Sequence, residues 1–386
     1  MFQNNQIDFQ ILQNRAYNLR WASVPNDVIP LTAADPDFKC AQVIQEAIEN
    51  YTRGGYFSYA PAEGLPEFKE AASSFFESKR NLKIHPSQIL PVDSAAYGIY
   101  LVCKSLLNSG DEAIIFDPVD FLFQYSIENL GARPERFSIP PGTEQVDFSN
   151  LEKLITKKTK LICLCNPLNP TGKVFKRDEL ELLGQIALKH NVIILSDEIW
   201  SDIVFEPNQF TSIASISEEI ADHVITVSGF SKSYGLAGLR IGLVTTSNKD
   251  LFNLIFHKSL HQSTVHGVNS LGQIAAAAAL NHAQDWLSDF VSHLHSMRDL
   301  VTSRINNIQG LKTRAPEGCY VSFVDITETG MTPEEFQKKM FEEAKVAVVP
   351  GLRQWFGPGA DGYIRLSFAT SSEILTEAIN RIDKAL

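Results

Sequence analysis

The chain has 386 residues, of which 44% are hydrophobic and 20% charged, and it carries a net charge of −11. This is the profile of a globular protein with a sizeable core, long enough for two domains. The negative balance excludes nonspecific attachment of the whole surface to nucleic acid or anionic membrane, and leaves room only for a local basic pocket.

The opening MFQNNQIDFQ has neither a basic segment nor an apolar core, so no signal peptide is expected. No apolar run approaches the roughly 18 residues of a membrane span. The cysteines at 40, 103, 163, 165 and 319 are odd in number and scattered. They suggest neither a disulfide framework nor a zinc site, and a reduced cytoplasmic setting is the default expectation.

Residues 1–40 are irregular and aromatic-rich and end in LTAADPDF. The spacing of Val43, Ile44, Ala47, Ile48 and Tyr51 predicts a helix over 41–52. A turn-rich stretch, RGGYFSYAPAEG (53–64), is followed by predicted helices at 65–80 and 95–108, the second stopped by Ser109-Gly110. Short apolar runs then alternate with helices: AIIF (113–116), a helix at 121–130, KLICLC (160–165), a helix at 177–190, VIIL (192–195), VITVS (224–228) and IGLVTT (241–246). This rhythm predicts an α/β fold with a buried, mostly parallel sheet between helices. IAAAAAL (274–280) reads as packed helix. From about 283 the character changes to a long helix (283–308), YVSFVDI (320–326), a helix (332–345), VAVV (346–349), YIRLSFA (363–369) and a last helix (371–386). That pattern predicts a smaller α+β domain. The expected organisation is an N-terminal segment, 1–45, packing with a small domain, 286–386, and a large domain, 46–285. No GxGxxG stands between a strand and a helix, so a dinucleotide site is unsupported.

In such sheets a ligand lies at the carboxyl ends of the strands. Asn166, Asp197 and Ser228 fall there, after three of the apolar runs. In NPLNPTG (166–172) two prolines stiffen the turn and fix the asparagine side chains; X-Pro bonds of this kind can be cis. In SDEIW (196–200) the Asp197 carboxylate needs a partner, and a protonated pyridine nitrogen is one. In SGFSKSYGLAGLRIG (228–242) Lys232 stands among small residues and hydroxyls. A lysine amine kept partly neutral by burial and neighbouring cations can form a Schiff base with a carbonyl. Gly235 and Gly238 let backbone approach a bulky charged group, and the planar fork of Arg240 suits a phosphate.

Taken in order, NPLNPTG, SDEIW, SGFSK, GLRIG and YIRLSFA resemble the class I/II pyridoxal-phosphate-dependent aminotransferases of fold type I, and the likeness runs from LTAADPDF to the C-terminus. The resemblance implies the cofactor pyridoxal 5'-phosphate (PLP) and a transfer of an amino group from an amino acid to a 2-oxo acid. Lys232 would carry the Schiff base and then act as general base. Asp197 would pair with the pyridinium nitrogen, and Asn169 would meet the ring hydroxyl. Arg240, with Ser231 or Ser228, would hold the phosphate together with the backbone amides of Ser94, Ala95 and Ala96 at a helix N-terminus. Tyr59 would reach the phosphate of the other subunit, which implies a homodimer with shared sites. Arg365 would clamp the substrate carboxylate.

Some positions depart from the family pattern. Trp200 stands where a tyrosine is usual, and its indole can only donate. Gly229 replaces a serine, for which Ser228 can substitute. Ser94-Ala95-Ala96 lacks a hydroxyl common at that turn. Ala34 replaces a glycine beside the substrate carboxylate. The position of the aromatic that stacks on the ring is Asp120, flanked by Phe121 and Phe123; either the loop shifts and Phe121 stacks, or the ring lacks that cover. The run IDFQILQNRAYNLRW (7–21) is also similar to the cystathionine β-lyase branch, which implies a C–S β-lyase as the alternative activity. Enzymes of that branch tend to lack the arginine of GLRIG, so Arg240 favours transamination. A third reading, a non-catalytic PLP-binding regulator, is opposed by Lys232, Asp197 and Arg365 occurring together. No second arginine is assignable to an acidic side chain, so aspartate is not the expected donor.

Overall fold

The computed structural model describes residues 2–386. In chain order the strands are β1 (Ile29–Pro30), β2 (Ile89–Val92), β3 (Glu112–Asp117), β4 (Arg133–Ser138), β5 (Thr159–Cys165), β6 (Ile193–Asp197), β7 (Val224–Gly229), β8 (Gly242–Thr245), β9 (Lys312–Thr313), β10 (Val321–Asp325), β11 (Val346–Ala347), β12 (Val349–Pro350) and β13 (Tyr363–Ser367). Seven of them form one sheet in the order β2-β8-β7-β6-β5-β3-β4. Neighbours from β7 through to β4 are parallel. Strand β3 is buried along its length and β5 from Leu161 to Cys165, which explains their apolar runs.

The sheet is mixed rather than parallel throughout: β8 runs antiparallel to both β7 and β2. Two strands of this sheet were not among the expected runs. Strand β2, ILPV, contains Pro91, and it lies at the sheet edge, where a missing N–H costs no ladder bond. Strand β4, RPERFS, forms the other edge and is mostly half-buried or exposed, so it carries charge instead of an apolar run. The run VAVV is split. Val346–Ala347 pairs in parallel with Ile29–Pro30, whereas Val349–Pro350 joins the second sheet, ordered β12-β13-β10-β9.

Local chemistry sets the helix ends. Pro66 opens the helix Pro66–Arg80, and Asn81, left-handed at φ +50°, ends it. Asn191 closes Arg177–His190 in the same way. The predicted final helix is Ser372–Ala385, with the Ser371 side chain accepting from the Ile374 amide. A helix at Lys249–Ser259 joins those expected, and the alanine run lies in Ser270–His282. One core extends from the sheet into the C-terminal helices. It includes Phe2, whose ring lies 5.3 Å from that of Phe290. No described helix is long and apolar enough to cross a membrane.

Candidate active site

The central strands deliver their polar residues to one end of the sheet. Cys165 of β5 pairs with Asp197 of β6, which pairs with Val227 of β7. The Asn166 amide donates to the Asp197 carbonyl at 3.0 Å. Asn166, Asp197 and Ser228 therefore stand side by side. Both prolines of NPLNPTG follow cis peptide bonds, Asn166-Pro167 and Asn169-Pro170.

At the β7–β8 side the site is made of backbone. Ser94 caps the helix Ala95–Leu106, its hydroxyl accepting from the Tyr97 amide at 3.1 Å, and its carbonyl accepts from Gly98. The first helical turn leaves amides without intrahelical partners, and those of Ala95 and Ala96 remain for an anion. Gly242 brings β8 hard against this turn: a Cβ there would lie 2.6 Å from the Ala95 nitrogen, 2.7 Å from the Ser94 carbonyl carbon and 3.0 Å from the Ser228 oxygen. Arg240, left-handed at φ +50° and exposed, donates from Nη2 to the Ser94 hydroxyl at 2.8 Å. The structure thus gathers Ser94, Ala95, Ala96, Ser228 and Arg240. Ser231 stands half-buried beside Lys232.

Across the site Lys232 Nζ donates to the Ala34 carbonyl at 2.6 Å and lies 5.5 Å from the Trp200 ring. Burial holds its amine below the ordinary lysine value; Asp35, Asp120 and Asp197 oppose the shift, and Arg365 adds to it. Asp197 is buried, and among the described residues the one bond its carboxylate accepts comes from the Ile199 amide at 3.0 Å. Burial pushes it up to about 7, and the nearby Asp120 and Glu198 carboxylates act in the same direction.

Arg365, on β13, reaches in from the second sheet. Nη1 donates to Asn169 Oδ1 at 3.1 Å and Nη2 to the Thr32 carbonyl at 3.4 Å, while Nε is buried without a partner. Asn169 Nδ2 donates to Asp120 Oδ2 at 2.9 Å. The loop after β3 therefore keeps its register, and Asp120, not Phe121, meets Asn169. Phe121 turns its ring toward Tyr125 at 5.4 Å, and Phe123 is core. Trp200 is buried edge-on against Tyr320 at 4.6 Å. Tyr59 is 89% exposed, its ring 5.5 Å from His266, and this chain does not fold it back onto the cradle.

Three features went unassigned in the sequence. The Tyr320 hydroxyl donates to the same Ala34 carbonyl as Lys232, at 3.1 Å. Asp35 accepts from Asn18 Nδ2 at 2.9 Å, and its carbonyl accepts from Arg20. Arg20 forms a fully buried ion pair with Asp37, to which Trp21 Nε1 also donates. LTAADPDF held the signal for the last two, since two close aspartates in an apolar setting need cations or donors.

The residues fit PLP. A helix N-terminus with free amides and an arginine suits a phosphate. A buried carboxylate with no salt bridge among the described residues suits a pyridinium, and an amine of lowered basicity suits an aldehyde. The unpartnered Arg365 Nε suits a carboxylate. Comparison with known proteins agrees. The family model described as aminotransferase class I and II matches residues 26–382. An aspartate aminotransferase of Bacillus sp. (strain YM-2) is 34% identical over 366 residues, covering 93% of this chain and 91% of the relative. Among solved structures, a PLP-bound candidate aminotransferase of Clostridium difficile 630 superposes with a TM-score of 0.88 at 29% identity, over 99% of this chain and 97% of that one. Cystalysin from Treponema denticola, which contains PLP, superposes with a TM-score of 0.91 over 100% of this chain and 98% of that one; at 24% identity it speaks to the fold alone. The fold is that of fold type I, the cofactor is PLP, and the chain belongs to the class I and II aminotransferases.

Proposed function

We propose that this aminotransferase works with the following division of labour, carried above all by Lys232, Asp197 and Arg365 meeting at one end of the sheet. The Ala95 and Ala96 amides, the Ser94 hydroxyl and Arg240 would hold the phosphate of PLP, with Ser228 and Ser231 alongside. Asp197 would pair with the ring nitrogen, and Asn169 would donate to the ring hydroxyl. Bound there, PLP supplies an electron sink that acidifies the α-carbon of an amino acid joined to it. Arg365 holds the α-carboxylate through its fork, with Ala34 forming the adjacent wall. Lys232 would accept the α-proton on its neutral amine and later give it back. Its depressed basicity serves that role, because a neutral amine is the base. Trp200 and Tyr320 wall the lysine from water.

We further propose a homodimer in which Tyr59 completes the partner's phosphate site. Its 89% exposure, with Tyr56 and Phe57 also exposed beside it, supports a protein partner for that loop. The chain is divided into an N-terminal segment, 1–45, a large domain, 46–285, and a small domain, 286–386; pairing of β1 with β11 supports the first joining the third. A cytoplasmic location follows the cysteine pattern. The donor is an amino acid and the acceptor a 2-oxo acid, and aspartate heads the panel because the curated relative bears that name.

The test is the absorption spectrum of the holoprotein before and after each member of an amino-acid panel. Conversion of the lysine-bound cofactor band to that of the aminated cofactor, with release of the matching 2-oxo acid, is the expected result. Pyruvate and ammonia from a cysteine-type substrate, with the band retained, would mean C–S β-lyase chemistry instead. Light scattering on the same sample is expected to give twice the chain mass; a fully active monomer would sink the shared site.

A further inference from the structure

We propose that Asp120 is a positioning residue of this site: its carboxylate fixes the orientation of the Asn169 amide and places a negative charge beside Lys232, where the family pattern has an aromatic ring. This rests on the reading that PLP lies among Asn169, Asp197 and Lys232.

The geometry leaves Asp120 little freedom. It follows Asp117-Pro118-Val119 at the end of β3, with the Val119 amide bonded to the Phe356 carbonyl at 2.9 Å. The Asp120 amide donates to the Asn169 carbonyl at 3.2 Å. Its Oδ1 accepts from the Leu122 amide at 3.2 Å, and its Oδ2 accepts from Asn169 Nδ2 at 2.9 Å. The other end of that amide, Oδ1, accepts from Arg365 Nη1 at 3.1 Å.

Asn169 is therefore gripped at both ends. Turning the amide over would set its oxygen against a carboxylate and its NH2 against a guanidinium, so one orientation survives. The Nδ2 group keeps one N–H for a ligand, and Asp120 decides where that N–H points. An aromatic ring at 120 covers a cofactor face but cannot accept this bond. Arg365, Asn169 and Asp120 form a single relay from the substrate-carboxylate group to the ring-hydroxyl group.

Asp120 also completes the charge set around Lys232. The charged groups facing the lysine are Asp35 from the N-terminal segment, Asp120 from the loop after β3, Asp197 from β6 and Arg365 from β13. Tyr320 and Trp200 flank it as uncharged groups. Asp35 is engaged by Asn18, and Asp197 is reserved for the ring nitrogen. Burial raises the Asp120 carboxyl above its ordinary range, while Arg365 and Lys232 act to keep it ionised. An anion here favours the protonated form of the Lys232–cofactor linkage.

The test uses the holoenzyme and the variants Asp120→Asn and Asp120→Phe. Asparagine keeps the size and one acceptor for Leu122 but carries no charge; phenylalanine supplies the ring. The readout is the pH midpoint of the lysine-bound cofactor band, with KM and kcat for one donor alongside. Both variants are expected to lower the midpoint by about one pH unit, and KM for the donor to rise more than kcat falls, because Arg365 loses its fixed partner. Since the two variants disturb the loop differently, a loss of folding in one leaves the other to report. A wild-type band that titrates, with a variant midpoint unmoved, overturns the role of Asp120 alone. Wild-type protein that forms no such band overturns the cofactor placement on which the role depends.

Discussion

The two ends of the site are built by different means. The end proposed for the phosphate is mostly backbone, a capped helix turn and the close approach of Gly242, with one side-chain contact, Arg240 onto the Ser94 hydroxyl. The substrate end is side chains brought from far apart in the chain. Lys232 reaches Ala34, 198 residues away, and Arg365 reaches Asn169, 196 residues away. Backbone amides tolerate exchange of the side chains that bear them, so the proposed phosphate site does not require a hydroxyl at Ala95 or Ala96. The substrate end has no such tolerance, because each bond depends on one functional group.

Removing a group from the substrate end gives the largest expected effect. Lys232→Ala is expected to abolish turnover and covalent cofactor attachment while the phosphate end still binds PLP reversibly. Both are read by absorbance and by an assay of 2-oxo acid release. A fully active variant would end the role given to Lys232.

Gly242→Ala attacks the other end. Its Cβ would meet backbone at 2.6 Å, so the helix turn must move away from β8. Cofactor affinity is expected to fall roughly tenfold, about 1.4 kcal/mol, with kcat at saturating PLP much less affected. An unchanged dissociation constant would show that the phosphate does not rest on this turn.

A last effect, of similar size, is a pH dependence of the apoprotein. Asp197 has its folded pKa raised from 3.8 to about 7 by burial. Its contribution to stability is fully present below the ordinary carboxylate range and is lost as pH rises through about 7. Asp197→Asn has no such proton to lose. Between about pH 5 and pH 8 the wild-type apoprotein should lose roughly 2 kcal/mol relative to the variant in denaturant unfolding. Glu198, also raised to about 7, is present in both proteins but is coupled to Asp197, so part of its own pH dependence remains in the difference. A gap independent of pH would mean that Asp197 is not a desolvated carboxylate.

Much of this was legible early. The helices 41–52, 65–80 and 177–190 have their observed counterparts in Gln42–Arg53, Pro66–Arg80 and Arg177–His190, because amphipathic spacing and end signals are local properties. The edge strands β2 and β4 escaped, since an edge is defined by what does not pair with it. The direction of β8 escaped for the same kind of reason: IGLVTT reads alike in either sense. Asp35, Tyr320 and the buried Arg20–Asp37 pair were in view as residues but not as partners.

By itself the sequence determined the alternation of strand and helix, the motif order that marks the family, and the chemistry available at Lys232, Asp197, Asn169 and Arg365. Tertiary structure decided what these groups touch. It put Asp120 rather than Phe121 against Asn169, turned β8 around, and aimed Lys232 at Ala34. Periodicity, caps and turns act over a few residues and can be read along the chain. A hydrogen bond across 49 or 198 positions exists only once a buried sheet has fixed which distant segments meet.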